Sequence, residues 1–336
     1  MHRHWCGHIR QPHVWISRQK WRNDHQESSN DKDVIMKSTQ LSFISQGTRC
    51  VGTLLQPEYE SNPPIILMAQ GFGMIRDAGL PTFAERFAKE GYAVFYFDYR
   101  GFGDSEGQPR HWVSPKRHIE DWQAALAFIQ TLPNMNTQRI ALWGYSFSGG
   151  HAIQTAAKHP NIEAVVLQAP HVSGLSSLTG VPLAKLLKLS MAGIADLVAG
   201  TLGKSVYRPI VGHEDDVAAM TAFDAWDGYM SQLPANANWE NKVRARIFLE
   251  ISMYNPIFNA HRLAMPVCVI AGARDSIIPE TAIRKATQKM PNVEYTVLDS
   301  NHFELCTGQV FEQNVALQIQ FLKEKFPVSA KLKVVA

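Results

Sequence analysis

Cysteine is scarce in this chain. Four occur among 336 residues, Cys6, Cys50, Cys268 and Cys306, far apart and with no C-x-x-C pair. That spacing excludes a disulfide scaffold or a cysteine-built zinc site, and it points to reduced thiols and a cytoplasmic setting. Charge of one sign is lacking too: 33 Lys and Arg stand against 30 Asp and Glu, a formal net charge of +3. A dedicated nucleic-acid binder needs clustered cations, so no nucleic-acid partner is expected. No apolar run is long enough to span a bilayer, so stable membrane insertion is not expected either. There is no internal repeat. What is present is a chain 45% hydrophobic and 19% charged, able to bury a large core as one large domain or two.

The first 35 residues read differently from the rest. They hold five of the 13 His and three of the 8 Trp without apolar periodicity, and they lack the apolar core of a secretory signal. Residues 1–35 are therefore expected to be a disordered extension, with the regular pattern opening at Met36. The cluster His2, His4 and His8 could collect a metal adventitiously. No carboxylate or cysteine framework accompanies it, so no metal site is expected, and nothing else calls for a cofactor.

From Lys37 the pattern is two strands followed by a strand–helix alternation. "QLSFISQGTRCVGTLLQP" suggests an antiparallel pair around Gly47. "PPIILMAQG", "AVFYFDYRG", "RIALWGYS" and "IEAVVLQAP" are short continuous apolar runs, as expected of strands buried on both faces. Between them lie amphipathic helices: "PTFAERFAKEGY", with Phe83, Phe87 and Ala88 on one face, "SPKRHIEDWQAALAFIQTLP", with Ile119, Trp122, Leu126 and Ile129 in a stripe, and "SGGHAIQTAAKHP". After His171 the alternation breaks for roughly ninety residues of helical periodicity. "VPLAKLLKLSMAGIADLVAG" puts Leu183, Leu186, Leu187, Met191, Ile194, Leu197 and Val198 on an apolar face, expected to pack on the core and line an acyl pocket. "DDVAAMTAFDAWDGYM" and "NWENKVRARIFLEISMY" read as further helices. The pattern resumes with the strands "PVCVIAGARD" and "VEYTVLDSNHF", a helix between them, and a closing helix through Val315, Leu317, Ile319 and Phe321. The fold class is thus α/β: a mostly parallel central sheet flanked by helices, with a helical insertion after the fourth parallel strand.

A serine hydroxyl is a poor nucleophile at neutral pH unless a base, usually His, is held beside it by a carboxylate. Three residues supply that set in the chain order Ser, Asp, His, each just past the carboxyl end of a strand. Ser146 follows "RIALWGY", Asp275 follows "PVCVIAGAR" and His302 follows "VEYTVLDSN". Taken singly, each has an ordinary explanation as a turn, a cap or a surface residue; the joint match carries the reading. "GYSFSGG" departs from the G-x-S-x-G turn because Ser148 stands at the second glycine. Gly144 precedes Ser146 by two residues, so Ser146 is the expected nucleophile, and the Ser148 hydroxyl is expected to bond nearby backbone. Oxyanion donors are expected from the backbone N–H of Phe147 and of Phe72, the latter in "AQGFGMIRD". "GFGDSEG" echoes a phosphate loop but has one residue too many and two acids where phosphate would sit. Asp98 and Asp104 are read as loop-fixing carboxylates. Trp226, Tyr229, Trp239 and Phe248 are candidates for lining a pocket.

With "AQGFG", "FDYRGFGDSEG", "GYSFSGG", "GARDSIIP" and "NHFE" in this order, the chain from Lys37 to the last helix resembles the α/β-hydrolase superfamily. Within it the nearest likeness is to capped dienelactone-hydrolase-like and X-prolyl-peptidase-like esterases and to acyl-transferring hydrolases of polyketide pathways. The resemblance implies a hydrolase core at 36–171 and 261–336 and a helical cap at 172–260. Gln70 stands where many members have His. Gln70 and Tyr145 are read as substrate contacts.

The expected partner is a small acyl substrate with an apolar acyl group, cleaved as an ester or thioester through an acyl-enzyme on Ser146. An acyltransferase that hands the group to an alcohol or amine is the alternative. A peptidase and a non-catalytic binding module have less support, and a homo-oligomer is left open.

Overall fold

A computed structural model of the chain describes residues 15–17 and 36–328. The expected antiparallel pair forms as β2 (Met36–Ser45) and β3 (Thr48–Pro57), in a register that closes on Ser45 opposite Thr48. Gln46 and Gly47 between them both have positive φ, 47° and 74°, the requirement of a tight two-residue hairpin turn. Ahead of the pair, β1 (Trp15–Ser17) joins β2 antiparallel. Three residues of the extension expected to lack order therefore pair with the sheet edge. The rest of residues 1–35, including His2, His4 and His8, lie outside the described residues.

The alternation then runs β4 (Pro64–Ala69), α1 (Leu80–Lys89), β5 (Ala93–Phe97), α2 (Pro115–Ile129), β6 (Asn136–Tyr145), α3 (Phe147–Ala156) and β7 (Ala164–Gln168). Next comes the insertion, with α4 (Leu183–Thr201), β8 (Tyr207–Arg208), α5 (Ala225–Met230), β9 (Val243–Arg244) and α6 (Ile247–Glu250). The core resumes with β10 (Val267–Gly272), α7 (Glu280–Thr287), β11 (Val293–Leu298) and α8 (Gly308–Lys325). One nine-stranded sheet results, in the order β1-β2-β3-β5-β4-β6-β7-β10-β11, parallel from β5 onward. Every residue of β4, β5, β7 and β10 is buried, as continuous apolar runs predict. α1 and α8 cover one face through Phe83, Phe87, Phe311 and Phe321, and α2 and α3 cover the other through Trp122, Leu126 and Ile153. The chain steps from β4 outward to β5 and then returns past β4 to β6. The carboxyl ends of β4 and β6 therefore border the crevice at which such sheets bind ligands.

Within the insertion the structure departs from the expected helices. Only Ala225–Met230 and Ile247–Glu250 are α-helical where two longer helices were expected. The reason is competition from non-local partners. The Asn241 side-chain oxygen accepts the Ile210 and Val211 N–H groups at 2.9 and 3.0 Å. Met220 N–H bonds Ile210 O at 2.9 Å, and Arg244 N–H bonds His111 O at 2.8 Å. Backbone groups satisfied across the chain have no need of a local helix.

α4 forms as expected but is turned over. Leu183, Leu187, Met191, Ile194, Leu197 and Val198, the face expected to pack on the core, are exposed. The helix buries Leu189, Ala192, Gly193 and Asp196 instead. A paired carboxylate lies within the buried face. Asp196 binds Arg244 at 2.9 Å and Arg246 at 2.6 Å and accepts the Val206 N–H at 2.8 Å. Removing one partner of a buried ion pair costs about 3–5 kcal/mol, and here two such pairs hold one face.

Candidate active site

The site begins at the end of β6. A Cβ on Gly144 would lie 2.6 Å from Ser148 O and 2.8 Å from Gly149 Cα, so only glycine lets strand and helix cross this closely. Ser146 then turns the chain with φ 56° and ψ −123°, a conformation that L-residues hold only when their surroundings enforce it. Three backbone bonds enforce it. Ser146 N–H bonds Gln168 O at 2.9 Å, and Ser146 O accepts the N–H groups of Gly149 at 2.9 Å and His171 at 2.8 Å.

The structure brings Ser146, His302 and Asp275 together. Ser146 Oγ lies 3.0 Å from His302 Nε2, and His302 Nδ1 lies 2.7 Å from Asp275 Oδ2. The other carboxylate oxygen, Oδ1, accepts the N–H groups of Ile277 at 2.8 Å and Ile278 at 2.7 Å, so both oxygens of the buried carboxylate are occupied. Ser146 is 7% and His302 2% exposed. The turn carrying His302 is braced by Asn301, whose Oδ1 accepts the Phe303 and Glu304 N–H groups at 2.9 and 2.8 Å.

Gln70 and Tyr145, expected to touch substrate, are engaged with the protein. Gln70 donates to Ala78 O and accepts the Gly71 N–H at 2.8 Å, which shapes the loop after β4. Tyr145 donates to His302 O at 3.0 Å, and its ring stacks on the imidazole at 5.1 Å. One side chain positions the loop and the other the His302 imidazole.

The loop after β4 runs directly beside the serine, since a Cβ on Gly71 would lie 3.0 Å from Ser146 Cβ and 3.5 Å from Ser146 Oγ. The rings of Phe72 and Phe147 meet edge to face at 5.4 Å. Phe147 opens α3, so its N–H is one of the donors a helix start leaves unpaired. No acceptor for the Phe72 N–H is found among the described residues. The insertion holds this loop from outside: Tyr229 donates to Phe72 O at 3.0 Å and Trp239 to Gly73 O at 2.9 Å. Of the four aromatic residues expected to line a pocket, these two are thus anchors. The Trp226 ring lies tilted against His213 at 4.9 Å, and Phe248 packs partly buried against the core.

Asp98 and Asp104 fix loops, as expected. Asp98 accepts the Arg76 N–H at 2.7 Å and pairs with its guanidinium, while Asp104 binds the same guanidinium at 2.7 Å. The Ser148 hydroxyl bonds a side chain, contrary to the expected backbone partner: it accepts from Tyr99, 3.1 Å away, which in turn accepts from Trp122 Nε1 at 2.9 Å.

Sequence reading missed what lies behind the elbow. Phe147 packs against His151, His171 and Tyr254 with ring centroids 4.7, 5.2 and 5.3 Å away. His118 Nδ1 lies 3.3 Å from His151 Nε2, and His151 Nδ1 lies 2.6 Å from the Tyr254 hydroxyl. Burial holds His118 and His151 well below the usual imidazole range and lowers His171 to about 4. All three are neutral at physiological pH. No periodic or motif signal marks them.

Known proteins align with this geometry. The chain is 38% identical over 289 residues to the quorum-quenching protein AidA of Acinetobacter baumannii, covering 86% of this chain and 95% of that one. It is 27% identical over 277 residues to thiohydrolase aneE of Aspergillus aculeatus, covering 79% and 86%. GrgF of Penicillium, named a polyketide transferase, has a solved α/β-hydrolase structure that superposes with a TM-score of 0.72 at 22% identity, covering 86% and 98%. Residues 64–303 match the model of the Hydrolase_4 family, serine aminopeptidase S33. The chain is an α/β-hydrolase enzyme and belongs to that family.

Proposed function

We propose that the protein cleaves a carboxylic ester or thioester through an acyl-enzyme on Ser146. The observation that carries this reading is the unbroken relay from Asp275 through His302 to Ser146 Oγ, with steps of 2.7 and 3.0 Å. His302 Nε2 takes the hydroxyl proton as Oγ attacks the acyl carbonyl, and it passes that proton to the leaving alcohol or thiol. Asp275 keeps the proton of the neutral imidazole on Nδ1 and stabilises the imidazolium once it forms. The N–H groups of Phe72 and Phe147 receive the oxyanion. Water activated by His302 then releases the acid.

Residues 172–260 act in this reading as a cap, with Tyr229 and Trp239 seated on the donor loop. α4 turns its large side chains outward, so an apolar acyl preference rests on Phe72, Phe147 and Ile210, which stand around the loop and elbow. A second reading, transfer of the acyl group to an alcohol or amine, is supported by the low exposure of Ser146 and by the likeness to GrgF.

The test is fluorophosphonate labelling of wild type and Ser146→Ala, followed by turnover of p-nitrophenyl esters and acyl thioesters of graded chain length. Labelling that survives Ser146→Ala, or no turnover of either series, would end the proposal. Ester or amide products formed on adding alcohols or amines decide for transfer. Because AidA is named for quorum quenching, loss of a signal molecule from culture supernatant is a further substrate assay.

A further inference from the structure

An amphipathic helix on a protein surface normally turns its apolar side inward. α4 does the reverse. Leu183, Leu187, Met191, Ile194, Val198 and Leu202 form one line along its outer side, and each is 55–73% exposed. Their spacing of 4, 4, 3, 4 and 4 residues keeps them on one face, and the central four follow the alternating repeat of a helix–helix seam. The helix has 19 residues, which makes the line about 28 Å long at ~1.5 Å per residue.

We infer that this face is covered by α4 of a second copy of the chain, packed antiparallel about a two-fold axis near the middle of the helix. Area argues for a second copy. Side chains of this size at this exposure offer on the order of 700 Å² per copy, above the ~300–600 Å² of the largest patch on a typical monomer and near the ~800 Å² per partner of a standard interface. Charge sets the direction. The exposed Lys188 lies near the helix start, the neighbouring Lys185 is bonded to Glu214 O and Thr221 Oγ1, and the helix's one acid, Asp196, is buried. An antiparallel pair places each Lys188 toward the partner helix's carboxyl end, where the helix dipole favours a cation; a parallel pair would set lysine against lysine. A membrane surface is a poorer occupant, because interfacial helices carry a strongly cationic polar face and the other side of α4 is occupied by the Asp196 ion pairs.

The experiment uses the full chain and measures mass by light scattering across a concentration series, without and with vesicles containing anionic lipid. Wild type should be a dimer, and the double variant Leu187→Glu/Ile194→Glu should be a monomer that keeps ester turnover within about twofold. Ile194→Cys, close to the axis, should cross-link as a disulfide dimer under oxidation, whereas wild type should not. A monomeric wild type overturns the inference, as does a dimer that survives the double variant. Wild type that is monomeric and floats with the vesicles replaces the second copy with a lipid surface. A dimer in which Ile194→Cys fails to cross-link overturns the antiparallel arrangement.

Discussion

Replacing Asp275 by Asn changes one atom, and the structure dictates where that atom goes. Oδ1 accepts two backbone N–H groups, from Ile277 and Ile278, at 2.8 and 2.7 Å. The Asn oxygen must stay there, so its NH₂ faces His302 Nδ1, 2.7 Å away in the wild type. A donor at that place makes Nδ1 the acceptor and moves the ring proton to Nε2, the nitrogen 3.0 Å from Ser146 Oγ. The base then offers the serine a proton where it should receive one, an inversion expected to cost about 10⁴ in kcat, or ~5.4 kcal/mol of barrier. Flipping the amide would restore the tautomer but set NH₂ against two N–H donors. At about 1–3 kcal/mol for each unmet group, the midpoint is ~4 kcal/mol, which leaves about one molecule in a thousand flipped. The expected loss of kcat on a p-nitrophenyl ester is therefore three to four decades, with the far-ultraviolet spectrum unchanged. A folded Asp275→Asn enzyme within tenfold of wild type would refute the role given to this carboxylate.

The two elbow serines should differ: Ser146→Ala abolishes fluorophosphonate labelling, whereas Ser148→Ala keeps kcat within about tenfold and lowers unfolding free energy by ~1–3 kcal/mol, because Tyr99 loses its acceptor. Equal losses of labelling would show that the nucleophile is misassigned. The buried His118, His151 and His171 should make stability pH-dependent. Each is neutral when folded but takes up a proton near pH 6.5 when unfolded, so the unfolded state binds more protons below that pH and stability falls as pH drops. For His171, lowered to about 4, the loss between pH 6.5 and 4 is about 3 kcal/mol, read as a falling urea midpoint whose slope with pH His171→Gln should reduce. A midpoint unchanged over that window would contradict the burial of these rings. Trp239→Phe removes the bond to Gly73 O and should lower kcat about three- to tenfold; an unchanged kcat would show that the insertion does not steady the donor loop.

The grouping of Ser146, His302 and Asp275 was legible in the sequence because all three sit where strands end. Ser146, Asp275 and His302 each follow an apolar run, and the order of those runs predicts their convergence. Helix faces were less legible wherever polar residues turn inward. In α8, Asn314 and Gln318 are buried with Phe311 and Phe321, while Leu317 and Ile319 are only half-buried. The reason is Gln168 at the end of β7, which accepts from Asn314 at 2.7 Å and from Gln318 at 3.0 Å. A hydrophobicity pattern records cost of burial and not the partner that offsets it. The same blindness turned α4 over, since Arg244 and Arg246 lie some fifty residues from Asp196 in the chain. The histidines behind Phe147 are a third case, as their partners come from four separate segments.

Support from the insertion converges on the loop after β4, and this ties the insertion to the loop beside Ser146. The peptide that presents the Phe72 N–H has its carbonyl, Gly71 O, turned toward Met74 N–H at 3.4 Å, and the next carbonyl, Phe72 O, is held by Tyr229 at 3.0 Å. Trp239 fixes the one after that at 2.9 Å. Three successive carbonyls held in this way leave the intervening peptides little freedom to rotate. Donors aligned in advance need no reorganisation when charge develops, and this is where most electrostatic catalysis arises. In the proposed mechanism the two aromatic side chains of the insertion would act on the reaction through the backbone, without needing to touch a substrate.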